Sequence, residues 1–278
     1  MSDNLTVIPY ELNKVYLEDC IQAMSKFPDN SVDIIIADPP YNTSAGSELS
    51  FNNKIHALPG FGGKWQKVME TWDNMPISEY IQFSLSWLSE ANRILKPSGS
   101  MWVHGTYHNI GIINVCMQLL EIEILNEVVW YKRNSFPNLA GRRLTASHES
   151  ILWTHSGGAK KREYNFNYEK SKEYFNSSDK LKMEGKQMRT VWDIPNNKKK
   201  EELALGKHPT QKPLKLIDRL LTISAPDEGI LLSPFSGGGT DCVAGLKAGL
   251  NVIGFDLEQE FVDLSNNRIQ HFTGSQNV

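Results

Sequence analysis

Apolar residues along the chain alternate between short continuous runs and helical spacing, a pattern that predicts strands alternating with helices. The run VDIIIA at residues 32–37 has the length and composition of a buried strand. Residues 77–95 space their apolar side chains three to four positions apart, which predicts a helix, and Pro97 and Gly99 follow it as a stop signal. Further strands are predicted at 100–104, 122–131, 150–154, 229–232 and 251–255, and further helices at 110–120, 212–224, 240–249 and 259–270.

Strands that alternate with helices build a mostly parallel sheet with helices on both faces, so the predicted fold class is α/β. Two segments do not share the pattern. Residues 42–75 are rich in Gly, Asn and Ser and predict a long mobile loop, and residues 155–206 form an insertion without regular periodicity. The predicted organisation is therefore one domain in two halves, 1–154 and 207–278, separated by the insertion 155–206.

The composition fits one folded domain with a substantial core, since 40% of the 278 residues are hydrophobic and 22% are charged. The three cysteines, Cys20, Cys116 and Cys242, have neither pairing nor metal-ligand spacing, which argues against a disulfide framework and a metal site and favours a cytoplasmic location. No leader-like N-terminus and no apolar segment of membrane-spanning length is found in the sequence, so no membrane attachment is expected.

Positive charge is concentrated in the insertion, although the whole chain has a formal net charge of −3. Residues 155–206 contain 12 Lys or Arg and 8 Asp or Glu, with aromatic residues interleaved among the basic ones. That mixture suits phosphates and bases, although a solvated surface segment has a similar composition.

The first candidate for chemistry follows the first long strand. IIIADPPYN at residues 34–42 ends a β-branched run in a carboxylate, two prolines and an aromatic ring, none of which continues a sheet. In an open α/β sheet, ligands bind beyond the carboxyl ends of the strands, where Asp38 and Tyr41 would lie. Taken alone, Asp38 would as readily cap a turn and Tyr41 fill an edge of the core.

A glycine-rich turn near the other end of the chain is the second candidate. The strand at 229–232 leads into Gly237–Gly239 and then a helix, and the next strand leads to Asp256. Such a turn lets the backbone approach a nucleotide-like ligand, while an acid on the following strand binds ribose hydroxyls. Because no Lys-Ser or Lys-Thr follows the glycines, the expected ligand is an adenosine-containing cofactor without a triphosphate.

Together the two stretches resemble a known family. Asp-Pro-Pro-Tyr at 38–41 and Ser-Pro-Phe-Ser-Gly-Gly-Gly-Thr at 233–240 are similar to motifs of the S-adenosylmethionine-dependent amino-methyltransferases of DNA. The motif order, with the catalytic tetrapeptide first and the cofactor glycines last, resembles the permuted β group of adenine-N6 methyltransferases from restriction-modification systems. YLEDC at 16–20 and GKHPTQKP at 206–213 are similar to two further motifs of that group.

The resemblance implies a Rossmann-like, doubly wound class I methyltransferase fold, with S-adenosyl-L-methionine as cofactor and DNA as substrate. The half at 1–154 would then be catalytic and the half at 207–278 would bind the cofactor. The implied catalytic residues are Asp38, Pro39, Pro40 and Tyr41. The implied cofactor-binding residues are Asp19, Cys20, Asp38, Lys207, His208, Pro209, Thr210, Ser233, Phe235, Gly237, Gly239, Thr240 and Asp256.

The chain departs from the family pattern at two positions of the cofactor motif. Members usually begin this motif with Asp-Pro-Phe, whereas this chain has Ser233, and the usual second Thr is replaced by Asp241. Loss of the carboxylate at position 233 is expected to weaken the grip on the amino group of the cofactor.

The insertion 155–206 is the predicted target-recognition region, since basic side chains position a protein on phosphates and polar ones read base edges. The candidate DNA-binding residues are Arg142, Arg143, Lys198, Lys199 and Lys200. His148 and Glu149 resemble a family segment near the target pocket. The resemblance also allows a homodimer and a paired restriction endonuclease.

Other functions are compatible with the same motifs. Cytosine-N4 methylation needs the same geometry, although the cytosine enzymes of the family more often have Ser where Asp38 stands. Methylation of an RNA base and a non-catalytic, partner-dependent DNA-binding subunit are further alternatives. Motif order argues against the methyltransferases of protein glutamine, in which the cofactor motif comes first.

Overall fold

An eight-stranded sheet forms the centre of the fold in a computed structural model of the protein. The structure describes residues 8–42, 75–135, 137, 142–156, 162–174, 183, 185–196 and 200–276. In chain order the strands are β1 (Lys14–Leu17), β2 (Val32–Ala37), β3 (Leu95–Gly105), β4 (Glu123–Tyr131), β5 (His148–His155), β6 (Val191–Asp193), β7 (Ile230–Ser233) and β8 (Asn251–Asp256).

The sheet is parallel apart from one strand. Its order is β1-β8-β7-β2-β3-β5-β4-β6, and β5 alone runs antiparallel to its two neighbours. The described helices are α1 (Cys20–Met24), α2 (Ile77–Ile94), α3 (Ile110–Leu119), α4 (Tyr168–Glu173), α5 (Lys200–Leu203), α6 (Leu214–Ser224), α7 (Thr240–Lys247) and α8 (Gln259–Gln276). The predicted α/β fold with a mostly parallel, doubly wound sheet is confirmed.

The central strand β2 explains why its sequence is a continuous apolar run. Ile34 and Ile36 join the cluster that contains side chains of α6, α7 and α8. Ile35 and Ala37 join the cluster on the other face, with side chains of α1, α2 and α3. Because successive side chains of a strand point to opposite faces, a strand covered on both faces needs apolar residues at both kinds of position.

The long predicted elements are confirmed, and the differences fall at short elements and boundaries. Strands β1 and β6 were not predicted, since runs of four and three residues are too short to show a periodicity. Helix α2 ends at Ile94, close to the predicted stop, but β3 begins directly at Leu95. The register shifts from Val32–Leu95 to Ile34–Ser100, so residues 96–99 bulge out of the β2–β3 ladder.

The described part of the insertion 155–206 packs on the α/β core. Strand β6 extends the sheet beside β4, and Trp192 within it is buried. The side-chain amides of Asn165 and Asn167 donate to the carbonyl of Ala225 at 2.9 and 2.7 Å. The functions assigned to the two halves and to the insertion stay predictions. Among the helices that the structure describes, none is long and apolar enough to cross a membrane.

Most of the predicted loop 42–75 lies outside the described residues, but the two residues that flank its undescribed part contact each other. The side-chain amide of Asn42 donates to the carbonyl of Met75 at 2.9 Å, and its Oδ1 accepts from the Met75 N–H at 2.8 Å. Asn42 has a φ of 53°, a left-handed conformation that Asn adopts more readily than most residues. This amide clamp fixes the chain directly after Tyr41.

We expect Gly245→Ala to lower the free energy of unfolding by about 1–3 kcal/mol, because the added methyl overpacks the interface between α7 and the sheet. Its Cβ would lie 2.7 Å from Cγ1 of Val252 and 3.2 Å from Cδ1 of Leu231. Gly111→Ala in α3 is the matched control, since nothing lies within 4 Å of its added Cβ, and a gain of up to about 1 kcal/mol is expected. Urea unfolding of both variants tests this, and similar shifts of the same sign would contradict it.

Candidate active site

The predicted motifs meet at one edge of the sheet because the strands that precede them are neighbours. The order β1-β8-β7-β2 brings together the residues that end or follow these four strands. They are Asp19 after β1, Asp256 at the end of β8, Ser233 at the end of β7, and Asp38 after β2. The predicted catalytic and cofactor motifs, which are far apart in the sequence, therefore lie side by side.

The glycine turn after β7 is fixed against the end of β8. The N–H of Gly237 donates to Oδ2 of Asp256 at 2.7 Å, and the N–H of Glu258 donates to Oδ1 at 3.0 Å. Gly237 and Gly239 have φ values of 48° and 68°, in the left-handed region that residues with a side chain rarely adopt. Burial raises the pKa of Asp256, although the backbone donors oppose this. The turn thus places backbone next to a carboxylate, as a nucleoside ligand requires.

Asp19 and Cys20 sit at the start of α1. Oδ1 of Asp19 accepts hydrogen bonds from the N–H groups of Ile21 and Gln22, both at 3.0 Å, so one carboxylate oxygen caps the helix. Cys20 is 5% exposed in the core, and burial raises the pKa of its thiol. The cofactor contacts predicted for both residues stay predictions.

His208 lies against the glycine turn. A Cβ added to Gly237 would be 3.3 Å from Cε1 of His208, and the imidazole packs edge-to-face on Phe261 with centroids 4.3 Å apart. Burial lowers the pKa of His208 to about 4, so the ring is neutral at pH 7. The other predicted residues of this segment, Lys207, Pro209 and Thr210, are exposed.

Phe235 and Thr240 flank the glycines from the two sides. The Phe235 ring packs edge-to-face on Trp87 of α2, with centroids 5.5 Å apart. Thr240 begins α7 and is buried, with its hydroxyl 3.5 Å from Nη1 of Arg268. Ser233 is fully buried, and its hydroxyl donates to Oδ2 of Asp241 at 3.1 Å.

Both carboxylate oxygens of Asp38 accept hydrogen bonds. Oδ1 accepts from the Tyr41 hydroxyl at 2.6 Å, and Oδ2 accepts from Nζ of Lys212 at 2.5 Å. The side chain of Lys212 is only 7% exposed, and its ammonium also lies 5.2 Å from the centre of the Tyr41 ring. Lys212 therefore contacts two of the four residues of the predicted catalytic tetrapeptide.

A second carboxylate completes this network. Oε2 of Glu149, at the start of β5, lies 3.7 Å from Nζ of Lys212 and 3.2 Å from the Tyr41 hydroxyl. Its Oε1 accepts from Nζ of Lys132 at 2.7 Å. The network therefore contains two ammonium groups and two carboxylates and extends across the ends of β2, β5 and β4.

The neighbouring charges keep both acids ionised. Burial alone would raise the pKa of Asp38, but the charge of Lys212 and the hydrogen bonds from Lys212 and Tyr41 together outweigh it, and the pKa is lowered. The same balance of burial against Lys212 and Lys132 lowers the pKa of Glu149. The pKa of Lys212 is raised, because the two carboxylates outweigh its burial.

The two prolines differ in what their carbonyls contact. The carbonyl of Pro40 accepts from the Tyr80 hydroxyl at 2.7 Å, and that hydroxyl accepts from the Asn109 amide at 3.1 Å. Nothing in the described ranges donates to the carbonyl of Pro39. Proline has no backbone N–H, so the main chain of Pro39 offers the site a carbonyl acceptor and no donor.

His104 of β3 is a buried neighbour of Asp38 with unused hydrogen-bonding capacity. It is fully buried, and neither ring nitrogen has a partner among the residues that the structure describes. Burial lowers its pKa to about 4, although the negative charge of Asp38 opposes the shift. The imidazole is therefore neutral at pH 7.

The predicted DNA-binding arginines lie at the same edge of the sheet. Arg142 and Arg143 are exposed in the connection between β4 and β5, and Nη1 of Arg143 donates to the Tyr107 hydroxyl at 3.3 Å. Lys200 is exposed at the start of α5. The predicted residues Lys198 and Lys199 lie outside the described residues.

Several site residues were not singled out from the sequence. Lys212 lies within the quoted motif GKHPTQKP, but only Lys207 to Thr210 were assigned a role in it. The position of Lys212 directly before an amphipathic helix was the available signal, and for His104 it was the position at the end of the apolar run MWV. Lys132 carried no signal, because its importance comes from a partner on another strand.

We expect Lys212→Met to lower the free energy of unfolding at pH 7 by about 3–5 kcal/mol, because two buried carboxylates lose their shared cation. In the native protein the pKa values of Asp38 and Glu149 are lowered, so their stabilisation is present above the ordinary carboxyl pKa and lost as the pH falls. Without Lys212 both pKa values rise, and the difference between the variant and the native protein should shrink as the pH falls from 7 to about 4.

Lys247→Met is the matched control, because its ammonium contacts Asp218 with a side chain that is 50% exposed. Its expected effect is below about 1 kcal/mol. Urea unfolding across this pH range measures both variants. Equal losses, or a Lys212 difference that does not depend on pH, would contradict the proposed charge balance.

Known proteins resemble this chain in sequence. The DNA methylase family model N6_N4_Mtase matches residues 32–267. The Type II methyltransferase M2.DpnII of Streptococcus pneumoniae is 35% identical over 263 residues, which are 94% of this chain and 91% of the relative. The Type II methyltransferase M2.MboI of Moraxella bovis is 36% identical over 260 residues, which are 93% of this chain and 88% of the relative.

Two solved structures extend the comparison to the fold. The structure of M1.HpyAVI in complex with SAM matches with a TM-score of 0.62 at 22% identity, over 92% of this chain and 98% of that chain. The cytosine-N4-specific PvuII DNA methyltransferase matches with a TM-score of 0.69 at 16% identity, over 98% of this chain and 95% of that chain. The sequence matches, supported by this common fold, show that the chain belongs to the DNA methylase family, whose members are S-adenosylmethionine-dependent DNA methyltransferases.

Proposed function

We propose that this DNA methyltransferase transfers a methyl group from S-adenosyl-L-methionine to the exocyclic N6 amine of an adenine that has been flipped out of the duplex. The observation that carries the proposal is the pairing of an ionised Asp38 with the adjacent Pro39 carbonyl after β2, to which none of the described residues donates. Two neighbouring acceptors match the two N–H donors of an exocyclic amine.

The residues around the glycine turn fit the cofactor. The Asp256 carboxylate accepts from the N–H groups of Gly237 and Glu258, and its remaining lone pairs can accept from ribose hydroxyls. Asp19 caps α1 with Oδ1, and its Oδ2 would contact the cofactor. His208 would border the methionine end. When bound, S-adenosyl-L-methionine supplies an electrophilic methyl group on a positively charged sulfur.

Asp38 and Pro39 would act on the nucleophile. The lone pair of the adenine N6 amine is delocalised into the ring, so the transition state needs a rehybridised nitrogen held in line with the methyl carbon. Hydrogen bonds from N6 to the Asp38 carboxylate and the Pro39 carbonyl favour that geometry and stabilise the positive charge that develops on nitrogen. The bound cofactor would supply the methyl group to N6 and leave as a neutral thioether, and the proton that N6 gives up would pass through the Asp38 carboxylate to solvent water.

The contacts that Asp38 already makes define what the incoming amine must change. Lys212 and Tyr41 each donate to one carboxylate oxygen of Asp38. The N6 amine would therefore share an oxygen with one of these donors or displace that donor. Replacing the neutral Tyr41 hydroxyl costs less than replacing the Lys212 ammonium. Tyr41 is then free to stack on the base, on the ring face opposite Lys212, and this stacking offsets part of the lost stacking in the duplex.

Cytosine-N4 methylation is the second candidate, because the same acceptor pair serves any exocyclic amine. The fold shared with the cytosine-N4-specific PvuII enzyme does not separate the two bases. Asp38 favours adenine only because the cytosine enzymes of the family more often have Ser at this position.

The insertion 155–206, together with Arg142 and Arg143, is proposed to recognise the DNA. The support is the local positive charge and the exposure of both arginines at the edge of the sheet where Asp38 lies. A homodimer, a paired restriction endonuclease and a cytoplasmic location remain proposals.

Asp38→Ala and Asp38→Asn should each lower kcat by about 10²–10³-fold, because the developing charge loses its carboxylate. Incubation with labelled S-adenosylmethionine and mixed-sequence DNA, followed by mass spectrometry of the nucleosides, gives both the rate and the modified base. The exposed Asp29→Asn is the control and should keep the native rate.

The product decides between the candidate functions. N6-methyladenine supports the proposal, and N4-methylcytosine would transfer the same mechanism to cytosine. Absence of product on any DNA despite cofactor binding would favour an RNA target or a partner-dependent subunit. Full activity of Asp38→Ala would refute the catalytic assignment.

Changing all three of Lys198 to Lys200 to Ala should weaken DNA binding on every sequence and reduce the slope of log K against log salt by up to about 0.9 per lost phosphate contact. Cofactor affinity should not change. The control is a triple change of Lys14, Lys215 and Lys247 to Ala, which removes the same charge elsewhere on the surface. Fluorescence anisotropy across a salt series measures this, and equal losses in the two triple variants would count against the assignment.

A further inference from the structure

Asp241 is a buried carboxylate that none of the steps above uses. It is 6% exposed and lies in the first turn of α7, directly after the glycine turn. Its Oδ2 accepts a hydrogen bond from the Ser233 hydroxyl at 3.1 Å. Because Ser233 is the last residue of β7, this pair joins the end of the strand to the helix that follows the turn.

Ordinary structural roles do not account for this carboxylate. No backbone N–H in the described part of the chain donates to Asp241, so it does not cap α7, whose N-cap residue is Gly239. Two basic groups are near enough to influence it, but each contacts something else. Arg268 donates through Nη1 to the carbonyl of Gly238, and Lys212 donates to Asp38. A buried carboxylate satisfied by one hydroxyl is costly to keep ionised.

The surroundings of Asp241 indicate which kind of ligand would stabilise it. Burial, and next the negative charge of Asp38, raise its pKa to about 7, against the opposing effects of the Ser233 hydrogen bond and of the charges of Lys212 and Arg268. The negative charge of Asp38 therefore repels the Asp241 carboxylate, although Asp241 follows the glycine turn and not the Asp-Pro-Pro-Tyr motif. A cation bound there would offset both the burial and the repulsion.

We propose that Asp241 binds the α-ammonium group of S-adenosyl-L-methionine and that the Ser233 hydroxyl orients its carboxylate. The inference rests on the proposed cofactor. An ammonium group pairs with a carboxylate through strong, charge-assisted hydrogen bonds, and the methionine part of the cofactor carries one. The strand end, where related motifs usually have Asp, supplies the hydroxyl here, and the helix supplies the carboxylate. The expected weakening of cofactor binding by Ser233 is thereby compensated at position 241.

Calorimetric titration of the full-length protein at pH 7.5 with two ligands tests the assignment. S-adenosylhomocysteine contains the α-ammonium group but no sulfonium, and 5′-methylthioadenosine lacks the whole amino-acid part. Asp241→Asn should weaken S-adenosylhomocysteine binding about 10- to 100-fold, the value of a lost hydrogen bond to a charged group. Its affinity for 5′-methylthioadenosine should change less than about twofold.

An exchange variant provides the sharper control. Ser233→Asp combined with Asp241→Ser keeps both side-chain types and returns the carboxylate to the strand end. It should bind S-adenosylhomocysteine within about threefold of the native protein, whereas Asp241→Ser alone should show the same selective loss as Asp241→Asn. If the single variants do not fold, the exchange variant decides, and a selective loss of S-adenosylhomocysteine in it would overturn the proposal.

The remaining outcomes separate this inference from the proposed function. Unchanged S-adenosylhomocysteine affinity in Asp241→Asn, or equal losses for the two ligands, would overturn the ammonium assignment while leaving the native enzyme and its product untouched. Failure of the native protein to bind S-adenosylhomocysteine at all would instead remove the proposed cofactor on which the inference rests.

Discussion

The candidate active site depends on one buried ammonium that lies between two buried carboxylates. Lys212, Asp38 and Glu149 come from three distant parts of the chain, and removing any one leaves an uncompensated charge in a region of low polarity. The attraction among them fixes where the segment before α6 crosses the ends of the strands. His208 lies four residues before Lys212 and against the glycine turn, so the ion pair connects the predicted catalytic and cofactor sides of the candidate site.

The topology of the sheet makes this meeting possible. In a parallel sheet all carboxyl ends face one edge, and the order β1-β8-β7-β2 makes neighbours of strands from the two ends of the chain. The motif at the end of β2 and the turn after β7 are therefore adjacent whichever motif comes first in the sequence. This is the physical reason that a permuted motif order is compatible with one active-site geometry.

The sequence was most informative where a residue's role is set by its own segment. The apolar run of β2, the amphipathic α2 and the glycines after β7 each carry their pattern within a few neighbouring residues, and these were predicted correctly. Strands β1 and β6 are too short to have a pattern. Lys132 acquires its significance from Glu149 on another strand, so no local reading of the chain would have ranked it. Ser233 and Asp241 were both predicted to depart from the family motif, but the hydrogen bond between them is visible only in the folded turn.

The amide clamp between Asn42 and Met75 has a consequence for how this protein can diverge. Because Nδ2 and Oδ1 of Asn42 bond the carbonyl and the N–H of Met75, a change in the number of residues between 42 and 75 need not shift Tyr41. The entropy of closing a loop grows only with the logarithm of its length, about 0.6 kcal/mol for each doubling. Insertions and deletions there are thermodynamically inexpensive, so this segment is free to evolve new contacts while the chemistry beside it stays constant.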